Sequence, residues 1–533
     1  MPQPHLTTSA FEILGPIMVG PSSSHTAGAL RCAQVAASLM EQPVESVRFV
    51  LHNSFAHTYR GHGTDRALVA GILGLATDDE RIRDAFSLAE ERGLAFEFVP
   101  GEDNERLHPN TVDIEMRDRA GATCSVRGES LGGGRVRLSR INGIDVKITG
   151  EYDTIFVAHR DVRGVLAALT VHLSDRSVNI AFMRTYRTER GGAAYTVFEL
   201  DDLPQGADLT DLLESLRAHP EVRVATLIRV PGAAPARVGT EISPSFTSAK
   251  ELLGCTKELG GSLGAVMRAR EESLQGVASA HAAMAQVIDA MRAETTAPIE
   301  HPARSLGGLI GGEAALVQQG AESLAGVLMG AVQSNAVARA MAVLERSAAM
   351  GVIVAAPTAG SAGVVPGCIL AAAEAVDADD EDVAEALYTA AAVGLLLSLN
   401  ASVAGAEGGC QAEVGSAAAM AAAALVELNG GTPAQALDAS SIALGNLLGL
   451  VCDPVGGLVE VPCQNRNAIG VAAAFSSAQL ALSGVGSLVP FDEMAIVMRD
   501  VGRALPSSLR ETAKGGIAQA PSACAACAAC SKA

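Results

Sequence analysis

From about residue 247 to 520 the chain reads as nearly continuous helix, and nothing upstream of it does. Long Ala, Leu and Val runs there are broken by Gly, Pro and short polar clusters, with few strand patterns. The stretch 232–246 (PGAAPARVGTEISPS) precedes it and reads as a linker. A chain of this kind must fold as separate units, α/β first and all-helical second. Aromatic residues are only 3% of the sequence and Trp is absent, so the cores have to be built from Ala, Val, Leu and Ile. The uncharged run 386–406 reaches membrane-spanning length. Its Ala content and its Thr, Ser and Asn interruptions favour a buried helix in a large helical core.

Residues 1–150 alternate strand-like runs (47–51, 95–99, 112–116, 135–138, 146–148) with helical ones (27–40, 65–75, 84–92), the pattern of a compact α/β unit. Residues 153–231 form a second pattern. The strand DTIFVAHR, the helix VLAALTVHLSD, the strands VNIAFMRTYRT and AYTVFEL, the helix ADLTDLLESLRAH and the strand VRVATLIRV give the order βαββαβ. This unit resembles an ACT domain, a small regulatory module that binds amino acids. The resemblance places effector contacts at Gly164 and Asn179 and implies a homodimer through sheet edges. Residues 521–533 form a low-complexity, Cys-rich tail. The expected fold class is therefore multidomain α/β plus all-α, divided at 1–150, 153–231, 247–520 and 521–533.

The net charge of −20 argues against nucleic-acid and anionic-membrane partners, both of which reward basic patches. The N-terminal sequence has neither the basic nor the apolar region of a signal peptide. Ten cysteines in such a chain point to a reducing, cytoplasmic setting with free or metal-binding thiols.

Three cysteines stand out. Cys452 and Cys463 lie eleven residues apart in LVCDPVGGLVEVPCQNRNAIG, each beside a proline, and Cys410 opens CQAEVG after two glycines. Polar, Gly/Pro-broken surroundings suit metal or cluster ligands, whereas Cys32, Cys255 and Cys368 sit in apolar helical context like small core residues. Zinc is the alternative, but no His is close in sequence and C-x₂-C spacing is absent there. Three ligands on a four-iron cube would leave one iron open to substrate. The tail repeats Cys at C-x₂-C-x₂-C spacing (Cys524, Cys527, Cys530), which low complexity also explains.

Other motifs are Gly-flanked turns. GPSSSHTAG, with Ser22, Ser23, Ser24 and His25, leads into a helix and offers amides and hydroxyls to an anion such as a carboxylate. His62 lies between two glycines in GHGTD, sterically open and expected to titrate near the working range of a general base; His52 and His57 compete with it on pattern alone. APTAGSAG, with Thr358, Gly360 and Ser361, and SLGGLIGG at 305–312 offer similar turns for close approach by a small ligand.

The segments GPSSSHTAGA, NSFAHTYRGHGTDRA, HPNT, APTAGSAGVVPG, GAEGGCQAEVG, CDPVGGLVEVPCQNRNAIG and LRETAKGG follow one another in this order. Together they resemble the iron–sulfur-dependent bacterial L-serine dehydratases, in the form that fuses a β portion, an ACT domain and an α portion. The resemblance implies a [4Fe–4S] cluster on Cys410, Cys452 and Cys463, with L-serine as substrate at the remaining iron. It implies His62 as the base for the α-proton. Ser22, Ser23, Ser24 and His25 would line the substrate carboxylate, with Thr358, Gly360 and Ser361 facing them. Asn465, Arg466 and Asn467 would hydrogen-bond the cluster sulfurs. Relatives without an ACT domain can end in a cysteine that folds back as a fourth ligand, a role open here to Cys530. Competing readings are an amino-acid sensor with a vestigial catalytic half, the same chemistry on L-threonine, and a pyridoxal-phosphate enzyme. The last needs a Schiff-base lysine, and none of the five lysines sits in a convincing pocket motif.

Overall fold

The computed structural model describes residues 8–150, 152–187, 189–201, 203–230, 242–321 and 326–530, without the side chains of 326, 327 and 527–530. Most of the expected linker therefore lies outside the described residues, as does the side chain of Cys530.

The α/β unit is built on a six-stranded sheet. Its strands are β2 (Val44–Asn53), β3 (Ala95–Pro100), β4 (Asn110–Asp118), β5 (Thr123–Gly132), β6 (Arg135–Ile141) and β7 (Ile144–Ile148), in the order β3-β2-β4-β5-β6-β7. Only β2 and β3 run parallel. The period of two is plain in Val47, Phe49 and Leu51 on β2 and in Val112, Ile114 and Met116 on β4, all buried on one face. Helices Ala29–Ala37 and Thr64–Ile72 cover that face. Strand β5 was not expected. Its sequence, TCSVRGESLG, is poor in β-branched residues, and it is held by pairing on both sides.

Next come β8 (Asp153–Arg160), helix Val165–Ser174, β9 (Asn179–Arg187), β10 (Ala193–Asp201), helix Ala207–Arg217 and β11 (Val222–Ile228). They form a four-stranded antiparallel sheet of order β11-β8-β10-β9. Phe156, Val197 and Ile228 join the core of the α/β unit, so the two sheets pack together.

The rest is a helical bundle around Ser416–Leu428. Residues 416–426 of that helix are all buried, which requires a helix apolar on every side. Its alanines let Asp380–Asn400, Pro433–Leu447, Cys463–Leu482 and Val364–Ala375 pack around it. The Asp380–Asn400 helix is long and apolar enough to cross a membrane, and 72% of its apolar window is buried inside the protein.

Two short pieces tie the units together, and neither had a strong sequence pattern. Residues Ala10, Ile13 and Leu14 belong to the helical core, although they precede the α/β unit. Ser9 caps their helix, and the Glu271 carboxylate accepts from the Ala10 amide (2.6 Å) and the Ser9 hydroxyl (2.7 Å). Strand β1 (Ile17–Val19) then pairs antiparallel with β12 (Val352–Val354), which lies among helices. The tail forms a helix, Pro521–Cys530, against the turn Val455–Gly457.

A candidate active site where the two units meet

The Ser22 turn folds as a wide π segment, Ser23–Gly28, that runs straight into helix Ala29–Ala37. Ser22 caps it by accepting from the His25 amide (3.1 Å). Gly28 is needed for packing, because a Cβ there would lie 2.0 Å from the Ser130 hydroxyl of β5. His25 is fully buried. Its Nε2 bonds the Ser54 hydroxyl (2.9 Å), and its Nδ1 faces Ser24 Oγ (3.2 Å), Ser22 Oγ (3.3 Å) and Glu511 Oε1 (3.6 Å).

His62 stacks edge-on against His25 with ring centroids 4.3 Å apart. It is positioned by Gly63, whose φ of 64° starts helix Thr64–Ile72, and its carbonyl accepts from Thr26 Oγ1 (2.7 Å). Neither buried ring nitrogen makes a hydrogen bond of full geometry, although the Gly457 backbone lies close enough to favour the charged ring. Burial drives the ring pKa down to about 4, so the expectation of a base near neutral pKa is corrected. At pH 7 the ring is neutral, as a proton acceptor must be. Burial and the neighbouring His62 also keep His25 well below the usual imidazole range. The other two histidines are elsewhere: His52 pairs with Asp113 (3.0 Å) on the sheet, and His57 with Asp103 (2.7 Å) at the surface.

The α/β turns press on the cysteine loop of the helical unit. A Cβ on Gly61 would meet the Gly457 carbonyl at 2.9 Å, and one on Gly457 would meet Thr58 at 3.1 Å. That loop joins Cys452 to Cys463, which opens the helix Cys463–Leu482. Gly409, at φ 76°, turns the chain so that Cys410 precedes a second π segment, Gln411–Gly415. Cys410 and Cys452 share one small buried cluster with Val414. Burial, then Glu413, pushes the Cys410 thiol up to about 12. Cys452 and Cys463 are also pushed well above the usual thiol range, Cys452 by burial and then Glu511 and Glu413, Cys463 by burial and then the Cys410 sulfur and Glu413.

Two carboxylates that sequence reasoning missed close the site. Glu413 accepts from Thr358 Oγ1 (2.8 Å), and it crowds Gly360 and Gly405, where a Cβ would come within 3.0 and 2.6 Å of it. Glu511 follows a backbone bridge in which the Cys452 amide donates to Leu509 (2.9 Å) and the Glu511 amide to Cys452 (2.9 Å). Burial raises both carboxyls, and their proximity raises Glu511 further. Both shifts, His25 downward and Glu511 upward, disfavour the charged forms of that contact. His25, His62 and Glu511 bring ligand-capable atoms within 4.8 Å of one another. A glutamate three residues after Cys410 in an Ala-rich run was a visible signal for Glu413; for Glu511 the signal was its place in the LRETAKGG segment, which gave it no role.

The remaining candidates fall as follows. Ser361 is fully buried and bonds its own loop, at the Ala356 carbonyl (3.3 Å) and Thr358 Oγ1 (3.2 Å). Arg466 reaches the Val451 carbonyl (2.7 Å) and Asp453 (2.8 Å). Asn467 bonds the carbonyls of Gly360 and Cys463, both at 2.9 Å. Asn465 is exposed and is withdrawn as a cluster contact, because two residues past Cys463 a helix presents its opposite side. The 305–312 turn is also corrected as a ligand site. Its amides from Gly307 and Leu309, with the Ser305 hydroxyl, wrap Glu460 at 2.7–2.9 Å, and the amide of Gly312 meets Glu345 (3.0 Å). Gly164 caps helix Val165–Ser174 at φ 94°, and Asn179 Nδ2 donates to Asp201 (2.7 Å). Lys147, Lys250, Lys257 and Lys514 are all exposed, so none of them enters the site.

Buried thiols, imidazoles and carboxylates closed between an α/β and a helical unit define an enzyme assembled across an interface. The sequence model described as Serine dehydratase alpha chain matches residues 256–518, and that described as Serine dehydratase beta chain matches residues 9–93. The Probable L-serine dehydratase, alpha chain, of Bacillus subtilis (strain 168) is 45% identical over 281 residues, 52% of this chain and 92% of that protein. The L-serine dehydratase, beta chain, of Peptoniphilus asaccharolyticus is 44% identical over 193 residues, 36% of this chain and 87% of that protein. The L-serine dehydratase of Streptomyces coelicolor (strain ATCC BAA-471 / A3(2) / M145) is 32% identical over 530 residues, 96% of this chain and 99% of that protein. The chain belongs to the L-serine dehydratase family, with the beta and alpha portions in one polypeptide.

Proposed function

We propose that the chain is an L-serine ammonia-lyase that converts L-serine to pyruvate and ammonia. One observation carries this reading: Glu511 meets His25 with its side chain and is bonded to Cys452 through its backbone, so imidazoles and thiols face one space.

Cys410, Cys452 and Cys463 would hold a [4Fe–4S] cluster. The donor set suits it, since three buried thiols with raised pKa values stay neutral until a cation draws off their protons. When bound, such a cluster supplies Lewis-acid pull on the departing β-hydroxyl. The chain supplies the rest. The hydroxyls of Ser22, Ser23 and Ser24, with His25, bind the substrate carboxylate, opposite the turn of Thr358, Gly360 and Ser361. A ring nitrogen of neutral His62, unused by any other side chain, takes the α-proton. Loss of that proton and of the hydroxyl as water leaves aminoacrylate, which tautomerises and hydrolyses to pyruvate and ammonia. Closure of the two units keeps bulk water from the proton transfer.

The division at 1–150, 153–231, 247–520 and 521–533 belongs to the same proposal. Residues 153–231 act as an ACT-type unit with an amino-acid effector at Gly164 and Asn179. The open space at Gly164 and the sheet order β11-β8-β10-β9 support this. Exposed Val171, Phe182 and Met183 support pairing of two copies there as a homodimer. The enzyme is cytoplasmic. Cys530 would reach the cluster as a displaceable fourth ligand, supported by the tail helix lying on the turn between Cys452 and Cys463. Truncation after Gln519 should then remove any lag in turnover.

The deciding experiment is pyruvate release from L-serine by protein purified anaerobically, before and after exposure to air, with iron and sulfide analysis. Activity lost in air together with iron supports the reading; activity indifferent to oxygen and to iron removal defeats it. Relative turnover of L-threonine decides the substrate, and serine binding without turnover would favour the sensor.

A further inference from the structure

Outside this site lies a cavity of about 390 Å³ that the proposed reaction does not use. It opens where the HPNT turn of the α/β unit, through Pro109, meets the Gly405–Gly408 helix, the π segment after Cys410 and the helix Phe491–Ala504. Its walls carry three guanidiniums, Arg499, Arg503 and Arg510, against one carboxylate, Glu407. That is an inverted charge balance in a chain of net charge −20.

These arginines are short of acceptors. Arg503 has no hydrogen bond or ion pair among the described residues. The Nε of Arg510 is buried with no partner, and its Nη1 makes only a 3.4 Å contact with the Glu407 carbonyl. Arg499 meets its own neighbour Asp500 at 3.2 Å. Glu407 is occupied by the Ser402 hydroxyl (2.6 Å). Arg499 and Arg503 stand four residues apart on one helix, hence on one face, while Arg510 enters from a different segment. Guanidiniums with open donors around a concavity are the arrangement that recognises a planar oxyanion by paired hydrogen bonds.

We propose that this cavity is a second binding site, for a small dianion such as a short dicarboxylate or a phosphate. The volume is at the small end of ligand pockets, which fits a compact metabolite. The cavity wall is continuous with the cysteine segments. Gln411, next to Cys410, donates to the Met498 carbonyl (2.9 Å) and accepts from the Gly449 amide (2.8 Å), three residues before Cys452. Arg510 sits in the backbone bridge that holds Cys452. A dianion on Arg499, Arg503 and Arg510 therefore fastens the Phe491–Ala504 helix to the segments beneath the thiols and stabilises them. The sites stay separable, because the arginines of the helix touch none of the residues assigned to serine.

The test is calorimetric titration of the full-length protein with malonate, inorganic phosphate and, as a monoanion, acetate, at low salt, with melting temperature and hydrogen exchange as second readouts. At least one dianion should bind once per chain with Kd below about 1 mM, and more tightly than acetate. It should raise the melting temperature and slow exchange at 449–452 and 509–511. The double variant R499Q/R503Q, on exposed or half-exposed side chains, should weaken binding by about tenfold or more and leave serine turnover without the anion unchanged. Tighter malonate binding identifies a dicarboxylate metabolite, and tighter phosphate binding a phosphorylated one. The proposal is overturned if neither dianion binds, if R499Q/R503Q binds as well as the parent, or if the variant raises KM for serine with no anion present.

Discussion

The Ser22 turn and the Cys410 turn have the same backbone design and opposite chemistry. Each enters its helix through a π segment, Ser23–Gly28 before Ala29–Ala37 and Gln411–Gly415 before Ser416–Leu428. A π segment is wide and turns side chains off the helix face, which is why such segments recur at sites that must present groups inward. One turn carries hydroxyls and leads to two neutral imidazoles. The other carries a thiol and a buried carboxylate. Under the proposed reaction this becomes a division of labour: the α/β half would bind a carboxylate and accept a proton, and the helical half would hold a cation. Neither half has both.

Removing the cation-holding half should have the largest effect. C452S replaces a thiol by a poorer ligand of similar size, and iron and sulfide content should fall with turnover by about a thousandfold or more, while circular dichroism stays that of the parent. Full iron content in C452S would remove the distinction between the halves. H62N attacks the other half and should lower kcat by roughly 10²–10⁴ with iron content intact. A variant that lost iron instead would show that His62 supports the metal side.

The imidazole half also predicts a pH dependence. The folded pKa of His62 is about 4 against 6.5 for a free ring, so the unfolded chain binds the proton first as pH falls. Stability from this group is complete above pH 6.5 and is lost as pH drops to 4, by roughly 3 kcal/mol at most. Glu413 and Glu511 are shifted upward and act with the opposite sign over the acid range. The clean measurement is therefore the difference in melting temperature between cluster-free parent and cluster-free H62N. That difference should move in favour of H62N between pH 6.5 and 4; a difference flat with pH counts against a buried, uncharged ring.

What the sequence made legible follows the same line. The helical unit, most strands of the α/β unit and the βαββαβ order were readable because periodicity is local, and so were the serine turn and the cysteines. Strands β1 and β12 were not, since three residues carry no period and each exists only by pairing with the other. Glu511 and Ser54 reach His25 by tertiary packing alone. The 305–312 turn is the instructive failure. Glycine-rich amides do mark an anion site there, but the anions are the chain's own Glu460 and Glu345. Local sequence cannot distinguish a ligand's carboxylate from one supplied 150 residues later.

The smallest effect should come from Thr358, where the two halves of the site are compared within one hydrogen bond. Its hydroxyl donates to Glu413 (2.8 Å), the only side-chain donor among the described hydrogen bonds of that carboxylate. T358V keeps the shape and removes the donor, leaving a buried carboxyl unsatisfied at a cost of about 1–3 kcal/mol. Because burial already raises the Glu413 pKa to about 7, loss of the donor pushes it further up. A smaller fraction of the carboxyl is then ionised at any given pH, and the penalty shrinks as pH falls through 7. Denaturant unfolding of T358V and parent at pH 6 and pH 8 reads this directly. The destabilisation should be larger at pH 8. Equal destabilisation at both values would mean that Thr358 serves packing rather than the charge state of the thiol-bearing half.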